Sequence, residues 1–205
     1  MLPSVLVGYA FGSVPFAFIL ARRAGIDVRV AGSGNVGAAN VLRTTGMPLG
    51  VIVMMLDIFK GAARVFLASL SQGTPDSMAA AGAAAVIGHI YPVWLRFHGG
   101  KGVAVAAGVF GVLAPIATIV AASVFLIVVW TSRVISLGSV AATVTLPSAA
   151  LLSGEPGPVI AAAFGSGSLI LFRHRANLRR IFRGTERRVG LHVDARAGAK
   201  ARDGR

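Results

Sequence analysis

Apolar residues run through this chain in long blocks, and polar residues fall in the short gaps between them. The first block, Leu2 to Ala21, matches the roughly 20 residues a bilayer-spanning helix requires and ends at Arg22 and Arg23. A polar, glycine-rich loop follows, from Arg22 to Pro48. The next blocks run from about Leu49 to Leu70 and from about Met78 to Phe97, separated by S-Q-G-T-P-D-S. After H-G-G-K-G comes a largely apolar stretch of 28 residues, Val103 to Trp130, closed by Arg133. Two shorter blocks, split by S-G-E-P-G around Glu155, lead into a tail that starts at Arg173. The pattern predicts an all-α polytopic membrane protein. No internal repeat of the kind common in transporters is visible. Nothing charged precedes the first block and no small-residue cleavage pattern ends it, so it reads as a retained helix rather than a signal peptide.

Charge orients the blocks. Basic residues on short loops mark the cytoplasmic side. With Arg22 and Arg23 inside, S-Q-G-T-P-D-S falls outside and H-G-G-K-G inside. The tail carries 11 of the 20 Lys and Arg residues and belongs inside. Arg133 then belongs inside too, and S-G-E-P-G outside. The 28 residues from Val103 to Trp130 then cross twice, as two short helices turning near Pro115, where proline disfavours a continuous helix; the alternative is a single long tilted helix. The expectation is seven transmembrane segments with the N-terminus outside and the C-terminus cytoplasmic. Residues 1–190 would form one membrane domain. Residues 191–205, rich in Arg, Ala, Gly and Asp, would be a basic tail without fixed structure.

Composition agrees and narrows the function. Of 205 residues, 55% are apolar and only 13% charged, yet the formal net charge is +13, with a mean hydropathy of +0.77. A basic excess can mean nucleic acid, but here it sits at the edges of apolar runs rather than on a soluble patch, so no nucleic-acid partner is implied. The absence of cysteine removes disulfides, zinc-thiolate sites and a cysteine nucleophile.

The polar motifs share one chemistry. Gly32-Ser33-Gly34-Asn35-Val36-Gly37 satisfies G-x-G-x-x-G formally, but the dinucleotide reading needs a βαβ unit, and Asp57 lies inside an apolar helical run. Closely spaced glycines still let backbone N–H groups approach an anion, and a helix starting near Asn35 would add its positive end. Asn40 and Arg43 follow within reach. The second motif, Gly88-His89-Ile90-Tyr91-Pro92 followed by His98-Gly99-Gly100-Lys101-Gly102, offers backbone donors and an ammonium, without the Ser or Thr of a Walker loop. His89 fits a packed helix position better than a catalyst, but stays a candidate substrate contact. Asp57, Lys60 and Arg64 share one face of the second span, where ionisable groups are costly and are either paired or functional. Lys60 could neutralise Asp57 or lend positive potential to the site. Ser136-Leu137-Gly138-Ser139 follows Arg133, where Ser136 fits a helix cap better than a substrate contact. His174 and Asn177, at i and i+3, would continue the last helix into the cytoplasm. These loops hold many donors and almost no acid, which suits phosphate and implies no metal or cofactor. No Ser-His-Asp order and no H-x-x-x-x-D is present.

Taken together, G-S-G-N-V-G-A-A-N-V-L-R, G-H-I-Y-P-V-W-L-R-F-H-G-G-K-G-V and H-R-A-N-L-R-R…G-T-E resemble, in order and spacing, the three signature loops of the bacterial acyl-phosphate:glycerol-3-phosphate acyltransferases. G-S-V-P-F from Gly12, D-I-F-K-G from Asp57 and S-L-G-S from Ser136 are also similar to that family, so the likeness covers about Gly12 to Glu186. It implies seven transmembrane helices in the bacterial plasma membrane, with the site facing the cytoplasm. It also implies acyl transfer from a fatty acyl phosphate to the 1-hydroxyl of glycerol 3-phosphate. Ser33, Arg43, Lys101, Ser139, His174 and Asn177 match positions the family uses around its phosphorylated substrates. The stretches Gly32 to Gly37 and Gly99 to Gly102 match its phosphate loops. Ala39 departs from the pattern, standing where the family usually has Thr.

Acyl phosphate is already activated, so such an enzyme needs no acyl-enzyme. It must hold two anions together and aim a hydroxyl at a carbonyl. Arg43 and Lys101 would neutralise phosphate. The proton would pass to His174 or to a substrate phosphate oxygen; the second is favoured, because His174 looks better placed to bind glycerol phosphate. The main rival is a transporter of a phosphorylated metabolite, and a second is a structural lipid-binding protein held by its basic tail. One-sided motifs and missing repeats count against the first, and the second leaves Arg43 and Lys101 without a task.

Overall fold

The protein, seen as a computed structural model, is described over residues 2–71 and 73–188; the expectation about the tail at 191–205 lies outside those residues. All regular structure among the described residues is helical. The first apolar block is two helices rather than one: α1 (Leu2–Ser13) and α2 (Phe16–Arg23). Pro15 lacks an N–H and disfavours helical backbone at Val14, so the run breaks there although its hydropathy does not change. The polar loop contains α3 (Ala38–Thr45), which starts at Gly37 and not near Asn35 as expected. Left-handed turns at Gly32 (φ 63°) and Gly34 (φ 72°) and extended backbone at Gly37 delay it.

Helix α4 (Met47–Ser71) is the longest, 25 residues, or about 37 Å at ~1.5 Å per residue. Helix α5 (Pro75–Ile90) starts at a Thr74 cap, whose hydroxyl accepts the Ser77 N–H, with Pro75 in its first turn. It stops seven residues before the expected Phe97, because Pro92 ends it. A 3-10 turn (Val93–Leu95) and left-handed backbone at Arg96 and Phe97 lead into the second glycine loop. Helix α6 (Val103–Leu113) and α7 (Pro115–Ser132) are separated at Ala114, the turn foreseen at Pro115. Helix α8 (Ile135–Leu152), α9 (Gly157–Arg173) and α10 (Arg175–Phe182) complete the chain. The expected continuation of the last helix fails at His174, whose backbone (φ −92°, ψ 0°) separates α9 from α10.

Among the described residues, four segments are long and apolar enough to cross a membrane: Leu2–Arg23, Pro75–Leu95, Pro115–Ser132 and Ile135–Leu152. Lipid-facing character is plainest on α7, where Ile116, Ile119, Leu126, Ile127 and Trp130 are exposed and only Ala117 and Ala121 are buried. One core joins α4, α5, α6 and α9 through Val65, Val86, Val105, Val109, Phe110 and Ile170. A smaller one beneath the first loop joins Ala17, Val28, Val36, Val41, Val53 and Leu95.

Small residues set how closely α1 and α5 approach, as is usual where lipid supplies no hydrophobic drive between helices. Gly8 and Gly12 lie one turn apart on α1, and a Cβ at Gly12 would sit 2.6 Å from the Ala85 carbonyl carbon. Gly12→Ala should therefore force the helices apart and cost about 1–3 kcal/mol, read as a lower thermal unfolding midpoint in detergent. Gly111→Ala on α6, where a Cβ meets nothing within 4 Å, should leave the midpoint unchanged or raise it.

Candidate active site

The two glycine loops meet at one end of the bundle. The first is organised by Asn40, which is fully buried. Its Oδ1 accepts the Ser33 N–H at 2.8 Å, and its Nδ2 donates to the carbonyls of Val28 and Ala31, both at 3.0 Å. Asn40 thus spends its amide on the loop's own backbone. A Cβ at Gly32 would overlap Asn40 Oδ1, so the glycine is required there both for space and for its positive φ. At the loop's start, Asp27 accepts from Arg29 at 2.6 Å and from Arg22 at 3.3 Å. The Arg29 hydrogen bond is the main reason the Asp27 carboxyl is held down at about 2. Ser33 is exposed, and Asn35 lies over Gly37, where a Cβ would be 2.9 Å from Asn35 Nδ2.

Two helix N-termini converge. Gly37 begins α3 and Gly102 (φ 92°) begins α6, and no side chain caps either. The loops touch: a Cβ at Gly37 would lie 4.0 Å from the Gly100 Cα. Uncapped first turns present free N–H groups and a partial positive charge, the usual surroundings of a bound anion. The second loop folds back on α5, with Gly99 N–H donating to the Ile90 carbonyl and Gly100 N–H to the His89 carbonyl, each at 3.1 Å.

Lys101 reaches from this loop to α10 and donates to Asn177 Oδ1. Asn177 Nδ2 donates to Glu186 Oε1 at 2.7 Å. The same carboxylate accepts from Ser136 Oγ on α8 at 2.8 Å and from Arg180 Nε at 2.6 Å. Burial would raise the Glu186 carboxyl, but the hydrogen bonds from Arg180, Asn177 and Ser136 outweigh it and hold the group below its ordinary value. Arg43, Arg173 and Arg180 lie close enough to depress Lys101 further once burial has lowered it, to about 8 altogether. Arg43 is itself pushed down, first by burial and then by Arg187. Arg173 donates to the Gly99 carbonyl at 3.3 Å and stacks over Tyr91, with its buried Nε unpartnered.

His174 is buried at the α9–α10 break. Burial and the nearby Lys101 charge lower it to about 4, so it is neutral near pH 7. Its Nδ1 lies 2.8 Å from the Ile170 carbonyl, which only accepts, so Nδ1 carries the proton and Nε2 keeps its lone pair.

The structure thus gathers Arg43, Lys101, His174 and Asn177 with Gly37, Gly99, Gly100 and Gly102 into one cationic niche. Ser139, one turn along α8 from Ser136, is buried and donates to the Ile135 carbonyl at 3.0 Å. Lys60 and His89 lie behind the second loop, paired with Asp57 at the α1–α2 break. Two sequence expectations need correction. Ser136 is not a helix cap: α8 starts from Val134 with no side-chain cap, and the hydroxyl goes to Glu186. Nor is the niche free of acid, because Glu186 stands in it. Glu186, Arg173 and Arg180 were not singled out from sequence. They sit in a stretch so basic that it reads as a solvated tail, and only the position of Glu186 at the end of the third motif hinted at a role.

A sequence model of the glycerol-3-phosphate acyltransferase family matches residues 2–184. The chain is similar to a glycerol-3-phosphate acyltransferase of Rubrobacter xylanophilus, 45% identical over 91% of this chain and 94% of that one. It is likewise similar to one of Myxococcus xanthus, 48% identical over 90% and 97%. Two crystal structures of PlsY (YgiH), described as an integral membrane glycerol 3-phosphate acyltransferase, match its fold at 39% identity over 92% of this chain and 95% of that one. Their TM-scores are 0.88 for the glycerol 3-phosphate form and 0.86 for the lysophosphatidic acid form. With nearly the whole chain matched in sequence and in fold, this protein belongs to the glycerol-3-phosphate acyltransferase family of integral membrane proteins.

Proposed function

We propose that this chain transfers a fatty acyl group from an acyl phosphate to the 1-hydroxyl of glycerol 3-phosphate, giving lysophosphatidic acid and inorganic phosphate. The observation that carries the reading is the niche itself. Two uncapped helix N-termini and the neighbouring side chains of Arg43, Lys101, Arg173 and Arg180 gather around one carboxylate, Glu186, among the described residues. Such a surplus of donors suits two phosphate groups held side by side. The surroundings fit too: seven apolar or mostly apolar segments follow one another, counting Leu2–Arg23 as one, then α4 to α9. The charge pattern supports an N-terminus outside and the niche on the cytoplasmic side of a bacterial plasma membrane. Residues 1–190 then make one membrane domain, with 191–205 as its tail.

The chemistry needs little beyond placement. Lys101, Arg43 and the loop N–H groups hold the phosphates and offset their repulsion. The 1-hydroxyl attacks the acyl carbonyl, an ester C–O bond forms, and the mixed-anhydride C–O bond breaks as phosphate leaves. Neutral His174 is a weak base, so the hydroxyl proton passes to the departing phosphate. The His174 Nε2 lone pair instead accepts the hydrogen bond of a substrate hydroxyl and orients it. Ser33 and Ser139 are further substrate contacts in this reading. Asn40 and Asn177 set the loop and the lysine.

Two measurements test the roles. Lys101 is cationic below about pH 8 and loses charge above it, so the apparent KM for a phosphorylated substrate should rise on the alkaline side. Lys101→Arg should abolish that rise, and Lys101→Met should raise KM at every pH by roughly 10-fold or more. A flat alkaline limb in the unaltered protein would contradict the assignment. For His174, the glutamine variant keeps an acceptor and should lose no more than about 10-fold in kcat, whereas His174→Phe should lose roughly 100-fold or more. Equal and much larger losses in both would make it the general base.

A further inference from the structure

Behind the second loop lies a buried cluster that this mechanism leaves unused. The break between α1 and α2 frees main-chain carbonyls among apolar helices, where an unpaired polar group is costly. Lys60 on α4 reaches it, and its Nζ donates to the Val14 carbonyl at 2.8 Å. The same Nζ lies 3.0 Å from His89 Nδ1 and 2.8 Å from Asp57 Oδ1, with the Phe16 ring 5.5 Å away. Lys60 and Asp57 are almost wholly enclosed, at 3% and 2% exposure. An ammonium has only donors, so His89 Nδ1 accepts and the ring proton sits on Nε2. That nitrogen faces the loop: a Cβ at Gly100 would overlap it. The contact with Asp57 Oδ1 is too oblique for a hydrogen bond, and Asp57 Oδ1 and Ser13 Oγ are both buried without a hydrogen-bond partner. Both residues line a cavity of about 10 Å³, shared with His89, Gly99 and Gly100, which is room for one water molecule with polar neighbours.

We propose that Asp57, Lys60 and His89 form a positioning relay for the loop Gly99–Gly102. Lys60 fixes the proton of His89 on Nε2. That N–H, with one water held by Ser13 Oγ and Asp57 Oδ1, keeps the loop backbone in its phosphate-holding shape. Lys60 and His89 are thereby positioning residues, tied to the helix break through the Val14 carbonyl, which also accepts the Phe16 N–H. Asp57 balances the ammonium and orients it. The relay rests on the reading of this loop as a phosphate cradle.

The test uses full-length protein in detergent and steady-state kinetics for both substrates. Gly102→Ala is measured first. Its Cβ would meet Ile90 and Val86 at 3.0 and 3.2 Å, at a residue whose φ is 92°, so it strains the loop without touching the relay. The substrate whose KM rises identifies the phosphate held there, and if neither KM moves the cradle reading fails whatever the relay does. Next come His89→Asn, which keeps a group near Nδ1 but none at Nε2, and His89→Gln, which restores an N–H near Nε2. His89→Asn should raise the KM of that same substrate about 10-fold with kcat within about 3-fold, and His89→Gln should recover most of the loss. A double variant, Asp57→Asn with Lys60→Met, removes both charges together, because removing one leaves the other buried and unpaired. It should show the same KM rise in protein that still elutes as a single species. An unchanged KM in both His89→Asn and the double variant would overturn the relay. A kcat loss equal in the Asn and Gln variants, with KM untouched, would overturn it too.

Discussion

Among the described residues, Arg43, Arg173 and Arg180 surround Lys101, and the Glu186 carboxylate stands among them. Arg180, Arg43 and Arg173 each act on the charge of Lys101, and Arg187 and Arg180 act on that of Arg43. Two like charges about 7 Å apart near a protein surface repel by ~2 kcal/mol, so such a group does not assemble unaided. Glu186, its side chain only 5% exposed, collects a hydrogen bond from α8 through Ser136 and two from α10 through Asn177 and Arg180. It thereby holds α10 against the bundle and, through Asn177, aims Lys101. One carboxylate does not cancel four cations. On the proposed reading the surplus positive charge makes the niche receptive to phosphate, and it adds to burial, the larger cause, in depressing Lys101.

The glycine loops depend on the same balance from the other side. Backbone N–H groups approach an anion only where no Cβ intervenes, and Gly37, Gly100 and Gly102 stand where two helices begin. Contacts from beneath hold their shape. Asn40 ties the first loop with three hydrogen bonds, and α5, Arg173 and the cluster at Lys60 back the second. A preformed site of this kind places the reacting groups without ordering the chain at the moment of reaction.

Much of this was legible in the residues. Long apolar blocks announce membrane helices because lipid tolerates little else, and the turn at Pro115 followed from residue count and charge. The break at Val14 and Pro15 escaped, since hydropathy runs through it unchanged and Pro15 sits too near the block's middle to read as an end. The glycine spacing and the cations Arg43 and Lys101 pointed to phosphate. Glu186 did not stand out, because its partner Ser136 lies 50 residues away and the sequence around it is basic. Asn40 looked like a ligand contact. Only the fold reveals that the carbonyls of Val28 and Ala31 consume its amide.

The account stands or falls on the acyl donor. Purified full-length protein in detergent would be given labelled glycerol 3-phosphate with palmitoyl phosphate, and separately with palmitoyl-CoA. On the proposed reading the niche holds phosphate and the transfer needs no acyl-enzyme, so the account predicts lysophosphatidic acid from the acyl phosphate alone. Product from the thioester, or no product from either donor in protein that is folded, would contradict it.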